Sequence, residues 1–285
     1  MKRLLVTGAK GFTGVHLARA AAAAGYEVLP LQADLLDAKA LVDEIAAADP
    51  DRVVHLAAIS AVTHQDASAL YQVNTVGSCN LLEALAKLPR TDLKVVLASS
   101  ANVYGNALVS PLNESSPPAP VNHYACSKLA MEHMAQTFAN RFSVVIARPF
   151  NYTGPGHDVR FVLPKLVRAF AEHADFVELG NVNVQREFND VRFVVAAYMT
   201  LLERGVSGET YNVCTGIGHS LSSVIDELSK LSGHTLRVVV NPAFVRANEV
   251  FRLTGDPAKL SGLGAVTAGY SLTELLRWML SEFSS

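Results

Sequence analysis

Thr7-Gly8-Ala9-Lys10-Gly11-Phe12-Thr13-Gly14 sits between a short apolar run, KRLLVT (2–7), and an alanine-rich helical stretch over 15–24. The three glycines follow GxxGxxG, and each answers a different steric demand. Gly8 permits the tight turn out of a strand. Gly11 lets a pyrophosphate approach the backbone, and Gly14 lets helix and strand pack closely. An anion at this turn meets the free N–H groups of a helix N-terminus. The segment predicts a dinucleotide site.

Outward from that turn the strand–helix pattern repeats. Apolar strand patterns at 26–31, 52–56, 93–98 and 143–147 alternate with helical stretches at 37–48, 67–88 and 124–141. Such alternation implies βαβ units and a parallel sheet. Residues 1–150 are therefore read as a Rossmann-type, doubly wound α/β domain. After Pro149 the chain becomes rich in Gly, Pro and Asn. Helical patterns follow at 161–173, 191–204, 221–232 and 272–283, with strand patterns at 210–213 and 237–240. Residues 151–285 are expected to form mainly a smaller C-terminal α/β substrate lobe, with segments returning to the first sheet.

Half of the 285 residues are hydrophobic and 18% are charged, which excludes dominant disorder. Lys+Arg is 24 and Asp+Glu is 26, a net charge of −2. That balance gives no field for nucleic acid or an anionic membrane. Cys79, Cys126 and Cys214 are far apart, with no CxxC pair and no zinc-like spacing, so no metal site is expected. The apolar run before Gly8 is too short for a secretory signal, and 193–202 is too short for a membrane span. The reading is a soluble, cytoplasmic protein.

Tyr124-Ala125-Cys126-Ser127-Lys128 sets a phenol and an ammonium one helical turn apart, on one face. A phenol ordinarily titrates near 10, and a nearby ammonium lowers that value. The pair is expected to act as a tuned acid–base, with the lysine also in reach of a cofactor ribose. Ala98-Ser99-Ser100-Ala101-Asn102-Val103-Tyr104-Gly105 closes a strand at the carboxyl edge of the sheet, where α/β ligands bind. Ser100 can hydrogen-bond a carbonyl oxygen there. An acid ending the second strand would select NAD, and an Arg would select NADP. Leu31-Gln32-Ala33 offers neither, so both cofactors stay open. His64, His123 and His157 lie on loops that could face substrate, and His55 reads as structural beside the cofactor.

TGAKGFTG (7–14), HLAA (55–58), VNTVG (73–77), SSANVYG (99–105) and YACSK (124–128) resemble the extended short-chain dehydrogenase/reductases that act on nucleotide sugars. The resemblance runs in order over nearly the whole chain. It implies Ser100, Tyr124 and Lys128 as the catalytic triad. It implies contacts with NAD or NADP at Gly8, Gly11, Phe12, Gly14, Asp34, Leu35, Leu56, Ala57, Ala58 and Asn74, besides Tyr124 and Lys128. The link between Leu31 and Asp34 is shorter than in many relatives.

The family's dehydratases carry an Asp-Glu pair directly after the active-site Ser or Thr. Ala101 and Asn102 stand there instead, and neither titrates, so 4,6-dehydration is not expected. RPFNYTGPGH (148–157), REFNDV (186–191), RANE (246–249) and GDPAK (255–259) are similar to segments of GDP-mannose dehydratases and their reductase partners. Substrate contacts are thereby implied at Asn102, Asn151, Arg186, Arg246 and Glu249. The implied reaction is NAD(P)H-dependent reduction of the C4 ketone of a GDP-4-keto-6-deoxyhexose, in deoxysugar nucleotide biosynthesis. The implied assembly is a homodimer through the helices at 67–88 and 124–141. A nucleotide-sugar 4-epimerase with tightly bound NAD carries the same triad and is the alternative. A non-catalytic dinucleotide sensor would be expected to lack the Tyr or the Lys.

Overall fold

The run ahead of the glycines forms strand β1 (Arg3–Thr7), and α1 (Phe12–Ala23) starts directly after the turn. The structure is a computed structural model that describes residues 1–60, 66–107, 109–244, 250–264 and 270–283. Next come β2 (Glu27–Pro30), α2 (Ala38–Ala48) and β3 (Arg52–His55). α3 (Ala67–Tyr71) passes through a π-helical stretch, Gln72–Gly77, into α4 (Ser78–Leu85). β4 (Lys94–Ala98), a 3₁₀ turn at Ala101–Tyr104, α5 (His123–Gln136) and β5 (Ser143–Pro149) follow. The second half contains β6 (Tyr152–Thr153), α6 (Val162–Ala171), β7 (Phe176–Leu179), β8 (Gln185–Glu187), β9 (Asn189–Asp190) and α7 (Val191–Arg204). It continues with β10 (Thr210–Val213), β11 (Gly218–Ser220), α8 (Leu221–Ser232), β12 (Arg237–Val240), β13 (Arg252–Leu253), α9 (Ala258–Ser261) and α10 (Leu272–Ser281).

Six strands make one parallel sheet in the order β2-β1-β3-β4-β5-β10. The chain leaves β1 toward one edge and returns at β3 on its other side. Loops leaving the carboxyl ends of β1 and β3 therefore diverge, which opens the crevice where such sheets bind ligands. The central strands are apolar on both faces because helices cover both. Leu4 and Val6 face α1 and α7, while Leu5 faces α2 and α4. The fold is thus a Rossmann-like α/β sheet. β10 and α7 come from the second half of the chain, and a separate apolar cluster joins α6, α8 and α10.

The sequence reads 67–88 as one uninterrupted helix. In the structure the run contains a π turn at Gln72–Gly77. An inserted residue widens the helix locally and re-aims a side chain, a device common at functional positions. Here it turns Asn74 inward, where the residue is fully buried. The strands β7, β8, β11 and β13 are not apparent in the sequence, being two to four residues long. Among the described residues no helix is long and apolar enough to cross a membrane.

Candidate active site

The glycine turn is a cradle that a side chain would fill. Gly8 has φ +66°, and a Cβ there would lie 2.9 Å from the Ala57 nitrogen in the loop after β3. A Cβ at Gly14 would lie 2.2 Å from the Gly8 carbonyl oxygen and 2.6 Å from Ala9 Cα. Asp37, Asp66, Asn122, Asp190, Ser220 and Ser271 cap their helices with side-chain oxygens. α1 starts at Gly11 with no side-chain cap, which leaves N–H groups for an anion. This cradle, with Phe12 at its lip and Leu56, Ala57 and Ala58 across the crevice, fits a dinucleotide. At the end of β2, Lys10 Nζ lies 3.0 Å from Gln32 Oε1. The Glu44 carboxylate accepts from the Gln32 and Ala33 N–H groups at 2.8 and 2.7 Å. Asp34 is exposed and accepts from Leu36 N–H, while Leu35 is buried against Gly77.

Ser100, Tyr124 and Lys128 gather where β4 and α5 meet. Each is less than 10% exposed. Ser100 Oγ accepts from the Asn102 side chain at 3.0 Å and from its backbone N–H at 3.2 Å. Those two bonds leave the serine's own hydrogen for the neighbouring Tyr124 phenol. Asn102, expected at the substrate, thus steadies Ser100. Lys128 donates to the Ala98 carbonyl at 2.8 Å.

Burial pushes the Tyr124 phenol up to about 12, and the Ser100 hydrogen bond only partly opposes it. The Tyr/Lys spacing led us to expect the opposite direction. Desolvation penalises the phenolate, and Lys128 is directed at a carbonyl rather than at the phenol. Burial also pulls Lys128 down, to about 8, against a raising influence from Glu132. Tyr198 on α7 brings a third phenol toward Tyr124 and Tyr152, and it too is raised by burial.

A chain of buried hydrogen bonds ties the loop after β3 to this helix. Thr7 Oγ1 accepts from the N–H groups of Leu56 and Ala57 at 3.1 and 3.0 Å. Its own hydrogen is then left for His55 Nδ1, 2.7 Å away. Ser78 Oγ donates to the Asn74 carbonyl, so it accepts from His55 Nε2 at 2.8 Å. The imidazole is therefore neutral with its hydrogen on Nε2. The Asn74 side chain clamps both backbone groups of Ile59 and donates to Ser127 Oγ, which donates to the Tyr124 carbonyl. The Asn74 side chain, expected to touch the cofactor, is engaged with Ile59 and Ser127.

Burial holds His55 down at about 3, well below the ordinary histidine value of about 6.5. A base with a depressed folded value stabilises the fold fully above its unfolded value. That contribution is lost as pH falls from about 6.5 toward 3. His55→Gln should flatten the pH dependence of urea stability between pH 6.5 and 4 by roughly 1.4 kcal/mol per pH unit, one proton's worth. An unchanged slope would mean that His55 charges within the folded protein.

Facing the cradle, Phe12 stacks on His157, ring centroids 4.3 Å apart, and His157 stacks in turn on Phe161 at 4.2 Å. Thr13 and Tyr152 hydroxyls lie 2.8 Å apart. Asn151 is exposed beside this clasp. Arg186 lies on β8, in the three-stranded β11-β8-β13 sheet, and donates to the carbonyls of Gln185 and Val250. Arg246, Glu249 and His64 lie outside the described residues. His123 meets the Tyr71 hydroxyl on the protein surface.

The sequence reading did not single out Thr7, Ser78, Ser127, Glu132, Arg148 or Tyr152. A signal existed for two of them. Glu132 follows Lys128 by one turn on a face that must be buried, and Arg148 ends an otherwise apolar strand.

The sequence profile of the NAD dependent epimerase/dehydratase family matches residues 4–214. GDP-6-deoxy-D-mannose reductase of Pseudomonas aeruginosa is 35% identical, over 100% of this chain and 98% of its own. GDP-6-deoxy-D-talose 4-dehydrogenase of Aggregatibacter actinomycetemcomitans is 34% identical, over 90% of each. Among solved structures, RMD from Pseudomonas aeruginosa complexed with NADPH superposes with a TM-score of 0.91 at 34% identity, covering 99% of both chains. A protein of Burkholderia cenocepacia, described as a candidate epimerase, gives 0.93 at 45% identity over 99% of this chain and 98% of that one. The chain belongs to the NAD dependent epimerase/dehydratase family.

Proposed function

We propose that this member of the family reduces the C4 ketone of a GDP-4-keto-6-deoxyhexose with NADH or NADPH, as a cytoplasmic homodimer. Residues 1–150 would hold the dinucleotide and 151–285 mainly the sugar nucleotide. One observation carries the reading. Ser100, Tyr124 and Lys128 converge beside the glycine cradle, while Ala101 and Asn102 provide no acid–base pair for dehydration. The two curated relatives are named for redox chemistry on GDP-6-deoxyhexoses, in line with it.

When bound, the reduced dinucleotide supplies a hydride to C4. Ser100 holds the ketone oxygen, and Tyr124 gives its proton to the developing alkoxide. A phenol held near 12 is fully protonated at neutral pH, which suits a donor. Lys128 steadies the ribose and is charged below about pH 8. Reduction should therefore weaken as pH rises through about 8.

Calorimetry with GDP, UDP and dTDP tests the nucleotide. GDP should bind most tightly, and equal or tighter dTDP binding would move the protein to another sugar-nucleotide branch. Light scattering at micromolar concentration should give a dimer mass; a monomer would count against assembly through α3–α4 and α5. The epimerase description of the Burkholderia protein favours a second reading, with NAD retained through each turnover. Cofactor that co-purifies, with no net NADPH loss on turnover, would support that reading over ours.

A further inference from the structure

Glu132 stands one turn after Lys128 and two after Tyr124, so the three residues share one face of α5. It is 5% exposed, as buried as the catalytic residues themselves. Arg148, at the end of β5, grips its carboxylate with two parallel bonds, Nε to Oε1 at 2.9 Å and Nη2 to Oε2 at 2.6 Å. The Ser99 hydroxyl donates to the same carboxylate. The remaining arm of Arg148 donates to Tyr104 Oη at 2.9 Å, and Tyr104 donates to Asn212 on β10 at 2.7 Å.

A buried ion pair is a poor device for stability, because desolvating both charges offsets most of their attraction. An apolar pair of the same volume would serve packing as well. This pair reaches two elements of the site. It holds Ser99, whose neighbour is Ser100, and it places a carboxylate one turn from a buried ammonium.

We propose that Glu132 is a positioning residue for the reaction: gripped by Arg148, it fixes Ser99 beside the catalytic serine and supplies the negative charge against which buried Lys128 keeps its proton. The proposal rests on the assignment of Lys128 to the catalytic site. Lys128 faces Tyr124 and Glu132 on its own helix, neutral His55 from β3 and the Ala98 carbonyl from β4; Arg148 of β5 reaches it through Glu132. Of these, Glu132 opposes the effect of burial on Lys128. Without its carboxylate, burial acts unopposed and the ammonium loses its proton at lower pH.

The test is the pH profile of kcat from pH 6 to 10 for Glu132→Gln. The basic limb should move down by about one pH unit, a loss of roughly ten-fold at pH 9. The KM for the sugar nucleotide should stay within about three-fold, since Glu132 is buried with its carboxylate taken by Arg148 and Ser99. Glu132→Gln leaves Arg148 buried and unpaired, which can prevent folding. The double variant Glu132→Gln/Arg148→Gln keeps a neutral hydrogen-bonding pair and should shift the limb in the same direction. Where turnover is too low to follow, NADPH affinity against pH reads the same titration.

A limb unmoved in the double variant, with affinity unmoved as well, would overturn the proposal. Lys128→Met separates that failure from failure of the underlying assignment. If Lys128→Met retains parental turnover, the site reading itself falls. If it abolishes turnover while the Glu132 variants keep the parental profile, only the role of Glu132 falls.

Discussion

Tyr124→Phe should lose roughly 10²–10⁴-fold in turnover, the usual scale of a positioned proton donor. The phenol is 8% exposed, lies beside Ser100, and is held in its protonated form by burial. Phe keeps the ring and its packing and removes only the proton that the alkoxide needs. Ser100 would remain held by Asn102 through two bonds, so the local backbone has no reason to move. NADPH affinity should change little, because the glycine cradle and Lys128 are untouched. Stopped-flow turnover and NADPH fluorescence titration read the two effects separately. Turnover within a few-fold of the parent would remove Tyr124 from the proton-donor role. A parallel collapse of NADPH binding would recast it as a structural residue.

Gly14→Ala should cost at least about 100-fold in NADPH affinity. The added methyl would meet the Gly8 carbonyl at 2.2 Å and Ala9 Cα at 2.6 Å, and both are backbone. Relief requires the turn to open, and overpacking of this kind costs about 1–3 kcal/mol before any bond to the anion is lost. Each charge-assisted bond from a loop N–H adds about 1.5–3 kcal/mol when broken. Gly25 is the control. It has φ +84° with nothing within 4 Å, so Gly25→Ala should cost only about 1 kcal/mol of stability and leave cofactor affinity alone. Equal NADPH affinities for the two variants would show that the turn is not where the dinucleotide binds.

The sheet was legible because its strands are short apolar runs separated by helices of regular period. β10 and α7 were found at their observed limits, as were α8 and β12, since each has a clear hydrophobic pattern. The π turn at Gln72–Gly77 was not legible. Val, Asn, Thr and Gly there are weak helix formers, but weak propensity does not distinguish a π turn from an α-helix, and the tertiary demand on Asn74 is a feature of the fold. β8 and β13 escaped notice because two or three residues carry no measurable alternation. The direction of Tyr124's titration was misread for a related reason. Spacing reveals that Lys128 shares a face with it, but not that the ammonium turns to Ala98 while the phenol is sealed from water. The Glu132–Arg148 pair joins residues 16 apart through two different elements, and such contacts follow from the fold rather than from local pattern.

Carrying deuterium from the nicotinamide C4 of labelled NADPH into the product tests the central claim most directly. The protein would be mixed with GDP-4-keto-6-deoxymannose and NADPH deuterated on the transferred face, and the product read by NMR. The account predicts one NADPH oxidised per sugar converted, with deuterium at C4 of a GDP-6-deoxyhexose. Ketone left unreduced with no NADPH consumed, alongside interconversion of a 4-hydroxy GDP-6-deoxyhexose with its C4 epimer without deuterium uptake, would contradict it.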